Sequence, residues 1–282
     1  MPEIVILSGK GGTGKTSLTG ALAHLAGRLL ICDLDVDAPD LHLVLQPQVR
    51  QRQAFWSGHE AVIDPEACVA CGQCVALCQF GAIRPEGEVY RVEPWRCEGC
   101  KVCVVFCPAQ AIRFPERHCG HWFISTTRFG ILVHAQLFPG AENSGKLVTL
   151  LKQQARRLAV QEGVEFILAD GAPGIGCPVI SSLSGADLAV LVTEPTPSGR
   201  HDLARVVELC RHFRIPAAVI INKVDLNEAE TARLQAYCER EGLPVLASLP
   251  YDPVVTQAML QGLVVTELPE SPFSSALTVA WE

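Results

Sequence analysis

The chain is predicted to be an α/β protein, with a mostly parallel, doubly wound sheet interrupted by a small α+β insert, and three observations predict it. A glycine-rich loop, SGKGGTGKTS at Ser8–Ser17, follows a short apolar run and opens an apolar helical stretch. Before Gln46 and after about Cys119, apolar strand-like runs alternate with amphipathic periods, the mark of a parallel sheet covered by helices on both faces. Between those regions, eight of the 13 cysteines fall in two dense groups from Cys68 to Cys107.

Composition narrows the function classes. A chain of 282 residues buries a full core, and an apolar content of 49% excludes disorder. No apolar run approaches the ~18 residues that span a bilayer, so a soluble protein is expected. The start MPEIVILSGKGG leads into glycines rather than a small-residue cleavage site, and reads as a first strand, not an export signal. A formal charge of -7 argues against a generic nucleic-acid surface and for protein partners. Dense cysteine groups without an export signal read as metal ligands in a reducing, cytoplasmic compartment.

The first strand is Ile4–Leu7, and the loop behind it, Gly9–Thr16, fits G-x-x-x-x-G-K-[ST]. Between a strand and a helix, Gly11, Gly12, Thr13, Gly14 and Ser17 bring backbone N–H groups to phosphate oxygens. Lys15 there meets the β- and γ-phosphates, and Thr16 offers its hydroxyl to Mg2+. The second strand, Leu29–Cys32, is followed by CDLDVDAPDLHL, which crowds Asp33, Asp35, Asp37 and Asp40 at the strand's C-terminal end. Ligands of open parallel sheets bind beyond that end, and carboxylates so close repel one another unless a cation such as Mg2+ joins them. For Asp37 and Asp40, capping of the following turn is an equal reading.

The insert is placed at about Ser57–Glu116, dividing the main domain into 1–56 and 117–282, with RQRQ at Arg50–Gln53 and PERHCG at Pro115–Gly120 as tethers. It contains a repeat. Cys68, Cys71, Cys74 and Cys78 return 29 residues later as Cys97, Cys100, Cys103 and Cys107, and AIR at Ala82–Arg84 returns as Ala111–Arg113. Each half reads C-x2-C-x2-C-x3-C.

Ile131–His134, Phe166–Ala169, Leu188–Val192, Ala218–Ile221 and Val245–Ser248 are the remaining strands. GAENSGKL at Gly140–Leu147 nearly copies the phosphate loop but ends in Leu147, with no magnesium hydroxyl, and reads as a helix start. From Ser198 to Phe213, Leu203, Val206, Val207, Cys210 and Phe213 recur at helical spacing and form a stripe toward the sheet. INKVD at Ile221–Asp225 follows a strand and matches the guanine-reading motif of GTPases, which leaves GTP open beside ATP. Cys177, inside GAPGIGCP, is either a small apolar filler or a thiol that touches a dimer seam or a transferred metal. Cys32, Cys119, Cys210 and Cys238 read as ordinary buried or half-buried thiols. The tail Leu268–Glu282 has no Lys or Arg, which argues against membrane docking.

KGGTGKT at Lys10–Thr16 resembles the deviant phosphate loop of the MinD, ParA and Mrp class of ATPases. The resemblance implies that Lys10 crosses a dimer interface to the other subunit's nucleotide, comparable in role to an arginine finger. It implies that Asp35 orients the attacking water, that Asp33 lies in the outer magnesium shell, and that Asp170 holds a magnesium-bound water. Gly174 then lets the switch backbone approach the γ-phosphate. An Asn at the place of Asn222 reads adenine in those ATPases, and LPYDPVV at Leu249–Val255, with Pro250 and Asp252, looks like their second base-side loop. ATP is therefore the expected nucleotide.

The paired cysteine runs, the second ending in Cys107–Pro108, resemble bacterial ferredoxins with two [4Fe-4S] clusters, in which the fourth cysteine of each run crosses to the other cluster. That implies one cluster on Cys68, Cys71, Cys74 and Cys107 and another on Cys97, Cys100, Cys103 and Cys78. Gln79 stands where the pattern has proline and removes no ligand. Zinc sites are the alternative, and the doubled three-plus-one spacing fits them poorly. The whole chain resembles MinD-superfamily ATPases with an inserted ferredoxin domain. This implies ATP hydrolysis, in a homodimer or a heterodimer with a related ATPase, tied to assembly or transfer of an iron–sulfur or related cluster to an acceptor protein. An ATP-gated electron donor like the iron protein of nitrogenase, with a redox partner, is the alternative. A positioning ATPase for division or partition is a third reading, disfavoured by the acidic tail.

Overall fold

The computed structural model describes residues 1–282. It opens with β1 (Glu3–Ser8), α1 (Lys15–Ala26), β2 (Leu29–Asp33), a short α2 (Leu41–Leu45) and β3 (Gln48–His59). A run of small elements follows: β4 (Val62–Ile63), α3 (Gln73–Leu77), β5 (Ile83–Glu86), β6 (Val89–Val92), α4 (Val102–Val105) and β7 (Ile112–Arg113). Next come β8 (Glu116–Thr126), β9 (Gly130–Leu137), α5 (Ser144–Glu162), β10 (Phe166–Pro173), α6 (Cys177–Leu183) and β11 (Leu188–Thr193). The chain ends with α7 (Pro197–His212), β12 (Ala217–Asn222), α8 (Glu228–Glu241), β13 (Val245–Leu249), α9 (Pro253–Leu260) and α10 (Pro272–Trp281). No helix is long and apolar enough to cross a membrane.

Two compact units divide the chain. The first comprises Met1–Gln53, Trp122–Gln136 and Ser144–Glu282, and the second Ala54–His121 and Leu137–Asn143. The large sheet runs in the order β13-β12-β11-β1-β10-β2-β9-β8-β3. From β13 to β9 its neighbours are parallel, and helices on both faces explain why those strands read as unbroken apolar runs. Val5, Ile6 and Leu7 are fully buried, as are Leu18 and Ala21 of α1.

On α7, Leu203, Val206, Val207 and Cys210 are buried as the stripe requires, but Phe213 is 36% exposed. The helix ends at His212, so Phe213 falls past the point where the period holds. The helix start expected in GAENSGKL is α5, whose Leu147 is buried. The segments expected as tethers are strands instead: Arg50–Gln53 lies in β3 and most of Pro115–Gly120 in β8. In an edge strand the backbone groups pair on one side while polar side chains face water, so RQRQ gives no apolar strand signal.

The second unit is a small α+β body. β4 pairs antiparallel with β7, and β5 with β6. Ala61, Ile83, Val92 and Ile112 form its core, with cysteines, Tyr90 and Phe114 packed around it. The repeat reaches the backbone: Ala70 and Gly99, Gly72 and Lys101, and Gly81 and Gln110 are positive-φ pairs at the same offset as the cysteines. This unit exceeds the expected span of Ser57–Glu116 at both ends, running from Ala54 to His121, and Leu137–Asn143 joins it; the Phe138 N–H donates to the Cys119 carbonyl at 2.8 Å, and the Phe138 ring stands edge-on to His118.

Candidate functional site

Parallel strands deliver their C-terminal ends to one edge of the sheet, and the glycine loop leaves β1 there. Gly12 and Gly14 take φ of 81° and 93°, a region that L side chains avoid. At Gly14 the demand is double, because a Cβ would stand 2.5 Å from Asn222 Nδ2. That Nδ2 donates to the Thr13 carbonyl at 2.8 Å, and Lys223 Nζ to the Gly12 carbonyl at 2.9 Å. The end of β12 thus staples the loop from the side. α1 begins at Lys15, and the loop's free N–H groups make the anion cradle expected at a helix N-terminus.

Strand register brings the acids together: Asp170 of β10 lies beside Asp33 of β2. Lys15 Nζ sits 2.9 Å from Asp170 Oδ1 and 3.7 Å from Asp35 Oδ2. Thr19 donates to Asp170 Oδ1 at 2.9 Å and Thr16 to Asp170 Oδ2 at 2.8 Å. Burial alone would lower the Lys15 pKa, but Asp170, then Asp35 and Asp33, hold it above the usual lysine range. Burial, with Asp170 adjacent, pushes Asp33 well above the carboxylate range. Asp35 is raised to about 6, chiefly by burial, and Asp37 is raised by burial. Asp33 accepts the N–H groups of Asp35 at 3.1 Å and Leu41 at 3.3 Å. The cap of α2 is therefore Asp33 rather than Asp40, whose side chain makes no capping bond. Sequence reasoning missed Thr19, although it lies one helical turn beyond Lys15 and on the same face.

Lys10 does not stand free. Its Nζ lies 2.7 Å from Glu194 Oε1 and donates to Thr196 Oγ1 at 3.0 Å and Ser198 Oγ at 3.1 Å. Glu194, Thr196 and Ser198 were not read from the sequence; the signal available was a carboxylate and two hydroxyls just past the end of β11. Farther along the edge, Gly14, Ser17, Asn222, Pro250, Tyr251 and Asp252 help to line a recess of ≈ 600 Å³. Asp225, the last residue of INKVD, does not line it, and its Oδ1 accepts the Tyr251 N–H at 2.6 Å. Just past β10, in the segment expected to be a switch, Gly174 has φ of 90° and its N–H donates to the Ser8 carbonyl at 2.8 Å. Cys177 is exposed at the first turn of α6, whereas Cys32, Cys119, Cys210 and Cys238 are buried.

In the second unit, Cys68, Cys71, Cys74 and Cys107 line one apolar recess of ≈ 330 Å³. Cys78, Cys97, Cys100 and Cys103 line another of ≈ 310 Å³. The Ala111 N–H donates to Cys107 Sγ and the Ala82 N–H to Cys78 Sγ, both at 3.3 Å, at repeat-related positions. Burial raises the Cys74 thiol, and burial together with Cys97 and Cys100 raises Cys103 to about 11. Nowhere, in these recesses or among the acids, are three or more His, Cys, Asp or Glu side chains arranged to hold a metal ion.

The chain is 33% identical over 229 residues to a protein of Methanocaldococcus jannaschii described as uncharacterised, covering 80% of this chain and 79% of that one. A stretch of 92 residues, 28% of this chain and 30% of the other, is 32% identical to the cytosolic Fe-S cluster assembly factor Nubp1 homolog of Drosophila grimshawi. Among solved structures, the septum site-determining protein MinD of Pyrococcus horikoshii, complexed with Mg-ADP, shares the fold at 19% identity. Its TM-score is 0.61, with 100% of this chain and 95% of that one covered. The model of the CobQ/CobB/MinD/ParA nucleotide binding domain matches residues 4–265. With the glycine loop and both acidic strand ends inside that span, the chain belongs to the CobQ/CobB/MinD/ParA nucleotide-binding family.

Proposed function

We propose that the chain is an Mg2+-dependent ATPase and iron–sulfur protein in which a nucleotide-driven dimer switch controls assembly or transfer of a cluster to an acceptor protein. The observation that carries this reading is that one chain holds both the family's phosphate loop and two recesses, each lined by four cysteines drawn from both halves of a repeat. Apolar walls, four sulfurs apiece and N–H bonds to Cys78 and Cys107 fit [4Fe-4S] clusters, with Cys68, Cys71, Cys74 and Cys107 holding one and Cys97, Cys100, Cys103 and Cys78 the other. The doubled three-plus-one cysteine spacing fits zinc sites poorly. When bound, such clusters supply one-electron chemistry. The partial similarity to an iron–sulfur assembly factor supports the choice of cargo.

At the other unit, Lys15 and the loop N–H groups would hold the β- and γ-phosphates, and the Thr16 hydroxyl, here bonded to Asp170, would be a ligand for Mg2+. Asp33 and Asp170 order the surrounding water, and Asp35 orients the one that attacks. Lys10 acts across the dimer. Asn222, Pro250 and Asp252 face adenine, and ATP is favoured over GTP because Asp225 lies outside the base recess, tied to Tyr251.

A second reading, an ATP-gated electron donor, is favoured by one observation: Cys177 is the sole exposed cysteine of the first unit, so that unit offers no cysteine pair for a labile shared cluster. One experiment separates the two. The protein is purified without oxygen, its iron and sulfide are counted, and ATP with Mg2+ is added beside an apo-protein acceptor and, separately, an electron acceptor. ATP-dependent loss of iron to the apo-protein is expected. Unchanged iron with reduction of the electron acceptor would establish the donor instead, and an iron-free protein with bound zinc would overturn both.

A further inference from the structure

Every proton of the Lys10 ammonium is engaged within its own chain, by Glu194 Oε1, Thr196 Oγ1 and Ser198 Oγ. Two of these acceptors are neutral, and Thr196 is already committed, because its hydroxyl caps α7 by accepting the Gly199 N–H at 2.9 Å. The charge is Glu194's alone. Its second oxygen lies 2.9 Å from Lys223 Nζ, and Lys223 is itself bonded to the Gly12 carbonyl of the phosphate loop. Glu194 is thus fixed at one end, with a side chain only 15% exposed, while Lys10 is the partner able to leave.

We propose that Glu194 is a positioning residue that latches Lys10 in cis, so that ATP-driven dimerisation must break the Lys10–Glu194 ion pair before Lys10 reaches the second subunit's nucleotide. This rests on the reading of Lys10 given above. The latch separates two states that the same lysine serves. In the single subunit the lysine neutralises Glu194 and leaves its own triphosphate to Lys15. In the dimer it is offered to a more highly charged acceptor, which a lone carboxylate cannot match once phosphate is in reach. Burial works against the Glu194 charge, yet hydrogen bonds from Lys10 and Lys223 keep its pKa below the usual carboxylate range, so the latch is closed at neutral pH.

Glu194→Gln keeps the shape and one acceptor oxygen but removes the charge. An ion pair of this exposure is worth about threefold, and a symmetric dimer releases two, so association should tighten about tenfold. It is read by sedimentation with Mg2+ and a non-hydrolysable ATP analogue, together with turnover against protein concentration. The half-maximal protein concentration should fall about tenfold, while the KM for ATP and the nucleotide affinity of the dilute subunit change less than about twofold. Unchanged or weaker association would overturn the latch, the weaker case showing that Glu194 preorganises Lys10 for the dimer. Ser198→Ala, which removes only a neutral acceptor, should shift association in the same direction and by less, and gives an independent reading should Glu194→Gln fold poorly; no shift in it then counts against the latch. In a Lys10→Ala background the effect of Glu194→Gln should vanish, and its persistence would assign the carboxylate to Lys223 and sink the proposal. Wild-type turnover by Lys10→Ala itself would remove the trans role of Lys10, an outcome distinct from any shift seen in Glu194→Gln.

Discussion

Asp170 gathers Lys15, Thr16 and Thr19 on its two oxygens, with Asp33 beside it and almost no exposure to water. Lys15 is the only cation close to this buried pair, so Lys15→Met should do more than abolish nucleotide binding. It leaves an uncompensated carboxylate inside, and nucleotide-free stability should fall by about 3 kcal/mol in urea unfolding; an unchanged midpoint would show that water reaches these acids. A second residue-scale effect lies at His134, buried against Phe123 and His42 and bonded to Ser125 Oγ at 2.9 Å. Burial, then His42, lowers its pKa from 6.5 to about 4. Between those values the unfolded chain binds the proton and the folded chain does not, so this group's stability is present above about 6.5 and lost as pH falls toward about 4. His134→Gln should flatten the decline in melting temperature between pH 7 and 5 relative to the wild type. Lys15, Asp33 and Asp170 were legible because motif and strand end place each of them alone. Glu194 was not, because its partners are chosen by tertiary register, 186 residues separating Lys10 from Thr196 in the same network; Ser125 was not, because its bond to His134 depends on the cross-strand register of β8 and β9.

At the scale of elements, the C-terminal end of α6 is tied by cationic side chains. Lys152 donates to the Ser182 carbonyl, and Arg156 donates to the carbonyls of Ser184 and Gly185 at 3.2 and 2.9 Å. Glu3 in turn holds both cations, at 2.6 and 2.8 Å. The other end follows Gly174, which has a positive φ and a single backbone bond to the Ser8 carbonyl at 2.8 Å, and Cys177 packs against Gly145 of α5. A switch built this way pivots at Gly174–Gly176 while Ser182–Gly185 stays put. Hydrogen exchange should therefore show ATP-dependent protection over Gly174–Ile180 and none over Ser182–Gly185; equal changes at both ends would refute the pivot. Gly174→Ala should cost about 1 to 2 kcal/mol through its positive φ. The anchoring was invisible in the sequence, since Lys152 and Arg156 meet Glu3, Ser182 and Gly185 only through tertiary packing. The six strands from β12 to β9 were legible for the opposite reason: covered on both faces, they leave continuous apolar runs, and β13, at the sheet edge with Val245 and Leu246 exposed, keeps a short apolar run as well. β3 and β8 carry polar and histidine residues instead, and so passed for tethers.

For the whole molecule, the proposed function makes a demand that does not depend on how nucleotide occupancy is communicated. If ATP changes how tightly the cysteine recesses hold their clusters, thermodynamic linkage requires cluster loss to change ATP affinity by the same factor. On the proposed function the second unit is the one expected to respond to iron removal, because its core is only Ala61, Ile83, Val92 and Ile112 with cysteine thiols packed around them, and so small a body relies on bonds other than apolar burial. Chelating the iron should expose Ala54–His121 to protease while Met1–Gln53 and Ser144–Glu282 stay resistant. ATP-analogue affinity, measured on the same samples, should differ between iron-loaded and iron-free protein by about fivefold or more, the lower end of typical allosteric coupling. Cys107→Ala and Cys78→Ala provide the graded version. Each should remove about half of the iron, and their separate effects on ATP affinity report which recess the nucleotide senses. If iron removal opens the second unit and ATP binds with unchanged affinity, no nucleotide state can be steering the clusters. The two units would then share a backbone and nothing else, whatever the ATPase rate.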